Sequence, residues 1–303
     1  MNTSYKIVGL GEVVWDVFPA RKRLGGAPAN FAYHCHQLGA CAYPVSALGA
    51  DALGRAARRQ LEAKGIDLTY VQETAAWPTS QVLVSLSEHG KPVYEIIENV
   101  AWDHLELTEE LAELAPSVDA VCFGVLSQRC EPARRAVQGF LDLMPSQTIK
   151  IFDINLRQSY YSKALVEECL ERATVLKLSD EELPQLAESF ELQGTVFEQL
   201  EGLRALFKLD LVAYTRGDEG SVLCCANAQD VHAGLPVTVV DSVGAGDSFT
   251  AALCVGLLQN WPLSEINAFA NSVAAYVCGQ KGATPTLPEK LIGPAIKSAA
   301  CQL

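Results

Sequence analysis

The chain has 303 residues, 49% of them apolar, with 36 acids against 23 bases and a formal charge of −13, which bounds it to a folded protein with a sizeable core. No cluster of Lys or Arg is large enough to track a phosphate backbone, so nucleic acid is excluded as a partner, and no apolar run reaches the ~18 residues needed to span a bilayer. The ten cysteines are scattered through apolar segments without a C-x-x-C pair and read as reduced, buried thiols of a cytoplasmic protein, not as a disulfide scaffold.

MNTSYKIVGLGE, at the N-terminus, runs straight into an apolar segment without a cationic leader or small-residue cleavage site, so no secretory signal is expected. Residues 6–14 predict a first strand. The basic triplet at 21–23 and the RAARR run at 55–59 read as loop and solvated helix surface. A helix is predicted near 28–39. Its His34-Cys35-His36 run reads as structural, because adjacent helical residues point in different directions and no distant ligand pair completes a metal site. A strand at 43–49 and a helix at 51–65 follow. Residues 79–102 then break the alternation with two strand-like arms around a glycine-containing turn, a hairpin signature. This hairpin is expected to be a flap appended to a single core domain, the other reading being an antiparallel edge of the main sheet.

Strands at 118–124, 149–155, 174–179 and 210–217 alternate with helices near 132–144, 163–172, 180–189 and 195–207, and two more helices are predicted at 246–259 and 264–280. Continuous apolar strands between amphipathic helices argue for a mostly parallel sheet covered on both faces. Ligands of such sheets bind beyond the carboxyl ends of the strands, which puts Asp153, Asn155, Lys177 and Thr215 at the ligand edge. There is no P-loop, no G-x-S-x-G and no H-E-x-x-H, and GLGEVV at 9–14 lacks the third glycine of a dinucleotide fingerprint, which counts against a dehydrogenase.

What remains is Gly244-Ala245-Gly246-Asp247 at the start of a helix. Its glycines let the backbone approach a ligand, its successive N–H groups can form an anion hole for a transferring phosphoryl group, and Asp247 at the rim can accept the proton of an attacking hydroxyl. From the four residues alone, an acid that merely favours the helix dipole, worth under about 1 kcal/mol, stands equally well.

The longer string DSVGAGDSF at 241–249 resembles the C-terminal signature of the PfkB, or ribokinase-like, family of sugar kinases, and GGAPANFA at 25–32 with Gly39 and Gly49 resembles its N-terminal signature. The resemblance implies one ribokinase-like domain over 1–303, a three-layer α/β sandwich with a central, mostly parallel sheet and a small β-hairpin lid with excursions at about 15–25 and 79–103. It implies Asp247 as general base, Gly244, Ala245 and Gly246 as anion hole, and Arg157 of DINLR on the phosphates or substrate. Asp16, Gly25, Gly26, Asn30 and Asp153 fall on sugar-binding positions, with Trp102 either covering the sugar or serving as an aromatic of the lid's own core. Lys177, Thr215, Gly217, Gly220 and Asn271 border the nucleotide. Glu182 would arrange water around magnesium, with Ser179 where the family usually has Asn, and Asp241, the Val243 carbonyl and Gly282 would hold a monovalent cation such as K+. The expected activity is transfer of the γ-phosphoryl group of MgATP to a sugar hydroxyl, fructokinase-like, yielding fructose 6-phosphate, in a cytoplasmic homodimer paired through the lid. The alternatives are a ribose, 2-keto-3-deoxygluconate or nucleoside kinase, or a sugar- and nucleotide-binding regulator without catalysis.

Overall fold

Along the central strands successive side chains enter two different cores. Val8, Leu10, Val121, Phe123, Phe152, Leu176, Leu178, Val212 and Tyr214 pack on one face, while Ile7, Ala120, Cys122, Ile151, Val175, Leu211 and Ala213 pack on the other. A strand buried on both sides must be apolar at every position, which is why these segments read as unbroken runs. Each fully buried Leu, Ile or Phe contributes about 1.5–3 kcal/mol to holding helices on both faces.

The structure is a computed structural model and describes residues 5–19, 21–86 and 92–300. Its strands are β1 (Lys6–Leu10), β2 (Val14–Phe18), β3 (Arg21–Gly25), β4 (Cys41–Gly49), β5 (Val71–Thr74), β6 (Gln81–Leu86), β7 (Pro92–Ile96), β8 (Ala120–Phe123), β9 (Ile149–Asp153), β10 (Val175–Ser179), β11 (Leu211–Thr215), β12 (Ser221–Cys225) and β13 (Ala228–His232). Among the described residues, nine form the main sheet in the order β13-β12-β11-β10-β9-β8-β1-β4-β5 and four form a small sheet, β3-β2-β6-β7. Pairing is parallel from β5 through β11, and β12 and β13 add an antiparallel edge absent from the sequence expectation.

The 79–102 hairpin belongs to the small sheet, where β6 pairs antiparallel with β7 and parallel with β2; its expected turn at 88–91 lies outside the described residues. The single strand expected at 6–14 is corrected. The chain leaves the main sheet after Leu10 and enters the small one at Val14, because Gly11 lies close against Pro28 and Ser127, where a Cβ would meet the Ser127 hydroxyl at 2.8 Å. His34 is structural as expected: buried, with Nε2 2.8 Å from the Ala283 carbonyl, and burial lowers its pKa to about 4. The described cysteines are free thiols. No helix among the described residues is long and apolar enough to cross a membrane.

Candidate active site

Helix starts show which backbone donors are left for a ligand. Asp51, Thr108, Ser162 and Thr195 cap their helices by accepting the N–H groups of Gly54, Leu111, Leu165 and Glu198, the ordinary way of satisfying a first turn. The helices Ala27–Gln37 and Ala245–Leu258 instead begin after Gly26 and Gly244, with no side-chain cap. An uncapped first turn is an anion site in waiting. Gly244 sits at φ 82, and a Cβ there would be 2.5 Å from the Ala283 carbonyl oxygen; only glycine tolerates both. Across the cleft Asn30 is buried on the first of these helices, and its Nδ2 donates to Asp247 Oδ2 at 2.8 Å. The two glycine-rich segments, at opposite ends of the chain, thus share one hydrogen bond.

Below the turn lies a buried ion pair. Lys177, in the middle of β10, has its Nζ 3.1 Å from Asp153 Oδ1 at the end of β9. The Thr250 hydroxyl lies 3.0 Å from Asp153 Oδ2 and 2.9 Å from the Gly246 carbonyl. Burial opposes the Lys177 charge, but the carboxylates of Asp153, Glu182 and Asp247 outweigh it and keep the ammonium protonated, with its pKa raised. A Cβ on Gly246 would lie 3.2 Å from Nζ, so the cation stands directly behind the uncapped turn. Asp247 is pushed up to about 6, first by burial and then by Asp153, against the pull of Asn30 and Lys177. It is a carboxylate poised to take a proton near neutral pH.

Asp16 on β2 faces Arg23 on β3, and its Oδ2 would be 3.3 Å from a Cβ on Gly25. Burial raises its pKa against the influence of Arg23 and Arg157. Arg157 is exposed and acts electrostatically on Glu12, Asp16 and Asp247 from the cleft. Ser179 gives Glu182 Oε2 both its N–H (2.8 Å) and its hydroxyl (3.0 Å), and the Leu156 N–H reaches Oε1 at 2.9 Å. Where Asn is usual in the family, this serine therefore orients the acid directly. Thr215 ends β11, and the turn from Gly217 to Gly220 lies against His232 and Gly234, a Cβ on Gly220 falling 2.1 Å from the His232 carbonyl. Asn271 is buried, with its NH2 bonded to Ser221 Oγ and to the Asn267 carbonyl at 2.7 and 2.8 Å, so it braces β12 instead of presenting those donors to a ligand. Asp241 accepts from the N–H groups of Val243 (3.2 Å) and Gly282 (3.1 Å) and pairs with Arg23.

Trp102 lies in the core of the lid, one of its two expected places. It is 1% exposed, clustered with Val14, Val82, Val100 and Leu126, and its ring lies 4.2 Å from the Arg129 guanidinium carbon. Arg129 is in turn locked to the buried Asp103 at 2.7 Å. An indole held inside this cluster underpins the small sheet.

Two residues were missed by sequence reasoning. Thr250 lies three positions after Asp247, on the face of its helix that meets β9, which helical spacing alone could have indicated. Glu12 is 4% exposed and lines a cavity with Asp153, Asn155, Pro28 and Phe123. Its carboxylate takes the N–H of Ala27, supplying from outside the acceptor that Gly26 lacks, and burial raises its pKa to about 7. A lone acid inside an apolar strand-like run, GLGEVV, was its only trace.

A glycine-capped anion turn, a proton acceptor at its rim and a lysine behind it are the parts phosphoryl transfer needs. The model of the pfkB family carbohydrate kinases matches residues 2–290. The chain belongs to this family. The fructokinase of Klebsiella pneumoniae is 31% identical over 94% of this chain and 97% of its own. An uncharacterized sugar kinase of Pyrococcus horikoshii, solved in complex with ATP, superposes with a TM-score of 0.81 at 25% identity, covering 99% of this chain and 100% of that one. Aminoimidazole riboside kinase of Salmonella enterica gives a TM-score of 0.79 at 24% identity, over 98% and 100%. The fold is that of the ribokinase-like sugar kinases, a mostly parallel sheet between helices with a second small sheet.

Proposed function

We propose that the protein is an ATP-dependent sugar kinase that phosphorylates the 6-hydroxyl of fructose in the cytoplasm. The observation that carries the reading is the Asn30–Asp247 hydrogen bond at the mouth of the uncapped turn. Asp247 takes the proton of the sugar hydroxyl as its oxygen attacks the γ-phosphorus. The bond from that phosphorus to the β,γ-bridging oxygen breaks, and ADP leaves with the electron pair. The N–H groups of Gly244, Ala245 and Gly246, with Lys177 behind them and Arg157 in front, stabilise the charge on the transferring group. Asp16, Gly25, Gly26 and Asn30 hold the sugar, with Asp153 below. Thr215, Gly217, Gly220 and Asn271 border the nucleotide.

Magnesium fits as an ion carried in by the phosphates. Among the described residues no three metal-ligating side chains converge, and Mg2+ prefers to keep several waters, one of which Glu182 would hold. The ion would neutralise phosphate charge. A K+ ion at Asp241, the Val243 carbonyl and Gly282 would have to compete with Arg23 for the Asp241 carboxylate. Leu83 on β6 is 38% exposed, and pairing of two copies through the small sheet is checked by light scattering, a monomer at working concentration refuting it.

An uncharged acceptor is favoured because Glu12, Asp16 and Asp247 meet the cleft against the single guanidinium of Arg157, while Lys177 is paired with Asp153. A second acidic group on the substrate would face net repulsion. ATP consumption by the purified protein with magnesium over fructose, glucose, ribose, 2-keto-3-deoxygluconate and adenosine tests this. Turnover with fructose is expected, and the anionic 2-keto-3-deoxygluconate should be among the poorest. ATP binding without turnover on any acceptor would favour the regulator reading.

The acidities predict the pH dependence. Asp247 acts as carboxylate, and its pKa is raised to about 6, so activity is present above that value and falls as pH drops through it. Glu12 is pushed up to about 7 partly by the Asp247 charge, so Asp247 loses its proton first, beside a Glu12 that is still largely neutral. The acid limb of kcat/KM should bend near about 6. Glu12→Gln mimics the neutral acid and should leave the limb in place. A limb carried to lower pH by this substitution would show that Glu12 ionises before Asp247.

A further inference from the structure

The basic triplet 21–23 has no part in the mechanism above, and its three side chains do not behave alike. Arg21 lies over the Phe18 ring and Lys22 over the Trp15 ring, both within the small sheet. Arg23 reaches out of that sheet and pairs with Asp241, the residue three before Gly244. Among the described residues it is the ion pair that joins the small sheet to the 241–247 turn. β3 is an edge strand, so this bond ties a free margin to the main body.

We propose that Arg23 is a positioning residue for phosphoryl transfer, locking the strand beside the sugar site onto the turn that forms the anion hole. The assignment rests on the kinase reading for its kinetic consequence, though not for its structural one. Directly opposed residues of antiparallel strands share a face, so Arg23 stands beside Asp16, on the acceptor side, while its guanidinium holds Asp241, on the donor side. Asp241 in turn fixes the Val243 and Gly282 N–H groups, and the residue after Gly282, Ala283, is the one packed against Gly244. The chain of contacts runs Asp16, Arg23, Asp241, Gly282, Ala283, Gly244. It links the residue that binds the acceptor to the residue that opens the anion turn. A guanidinium suits the task because its planar fork can face two carboxylates in a fixed geometry, which an ammonium cannot. The pair is partly exposed, with 29% and 14% of the two side chains accessible. Such a pair adds little to global stability, so its effect belongs in the rate and in local order.

The test uses the full chain with Arg23→Ala, Arg23→Lys, Asp241→Asn and the double variant Arg23→Ala/Asp241→Asn. In hydrogen–deuterium exchange without ligands, Arg23→Ala should speed exchange of the 241–247 amides about tenfold while leaving the core strands protected. In turnover, kcat should fall by about 10- to 100-fold, since small misplacements of reacting groups act at that scale, with sugar KM changing less. Arg23→Lys should recover part of the loss. The double variant should be no slower than Arg23→Ala, because the two residues act as one unit. Unchanged exchange, a kcat within about threefold of the parent, or single effects that multiply in the double variant would each overturn the lock. If the parent protein phosphorylates no acceptor yet the exchange of 241–247 still depends on Arg23, the kinase reading fails and the lock stands.

Discussion

Asp247→Asn is expected to lower kcat by about 10²–10⁴-fold, the range over which a general base contributes, and at the same time to raise the melting temperature. The two effects have one origin. The carboxyl is held in a largely desolvated place, beside Asp153, where its pKa rises from 3.8 to about 6. Between those values the native protein binds more protons at this site than the unfolded chain, so the site's contribution to stability falls as pH rises through that window. Above it the penalty for keeping the charge is constant, on the order of a few kcal/mol at about 1.4 kcal/mol per pH unit. Asparagine removes the charge and keeps an oxygen for the Asn30 amide. A gain of a few °C near neutral pH should therefore accompany the loss of turnover, and should shrink toward about pH 4. Calorimetry beside steady-state kinetics checks both. Lost activity with lost stability would indicate that Asp247 serves the fold, as a simple helix N-terminal acid would.

How far the sequence reveals such a site depends on whether a residue's role is local. The helix starts near 51, 163 and 195 were legible because Asp51, Ser162 and Thr195 bond within their own first turns, and a capping residue acts over three positions of chain. The unbroken runs of β8 and β9 were legible because both sheet faces are covered. The anion turn was legible because its glycines are required by close approach, which leaves a mark in composition. By contrast the passage from β1 to β2 was not. KIVGLGEVVWDVF is apolar almost throughout, and hydrophobicity does not record that the chain changes sheets at Gly11. Trp102 had two readings for a related reason: its place inside the lid depends on the Arg129–Asp103 pair, and Arg129 lies in a different segment. Glu12, Thr250 and the outward reach of Arg23 depend on partners 15 to 218 positions away, distances at which no pattern in one sequence carries information.

Lys177→Met should cost the fold more than Asp247→Asn does, and its double variant separates structure from chemistry. Lys177 and Asp153 expose only 9% and 7% of their side chains. Removing the ammonium leaves Asp153 buried without its counter-charge, a situation that costs about 3–5 kcal/mol, and leaves Glu182 and Asp247 uncompensated on the same flank. Turnover should fall by about 10²–10³-fold, as when a preorganised donor to a developing anion is deleted. A stability loss alone would give an inactive protein for an uninformative reason. Lys177→Met/Asp153→Asn removes both charges together and keeps an oxygen for the Thr250 hydroxyl, so most of the stability should return. The rate should not, because the cation behind Gly246 is still missing. Gly246 is the geometric reason: a Cβ there would lie 3.2 Å from Nζ, so its absence lets the ammonium stand close behind the turn and act on whatever anion the turn holds. Recovery of turnover together with stability in the double variant would reduce Lys177 to a partner for Asp153 and leave the anion hole to backbone N–H groups alone.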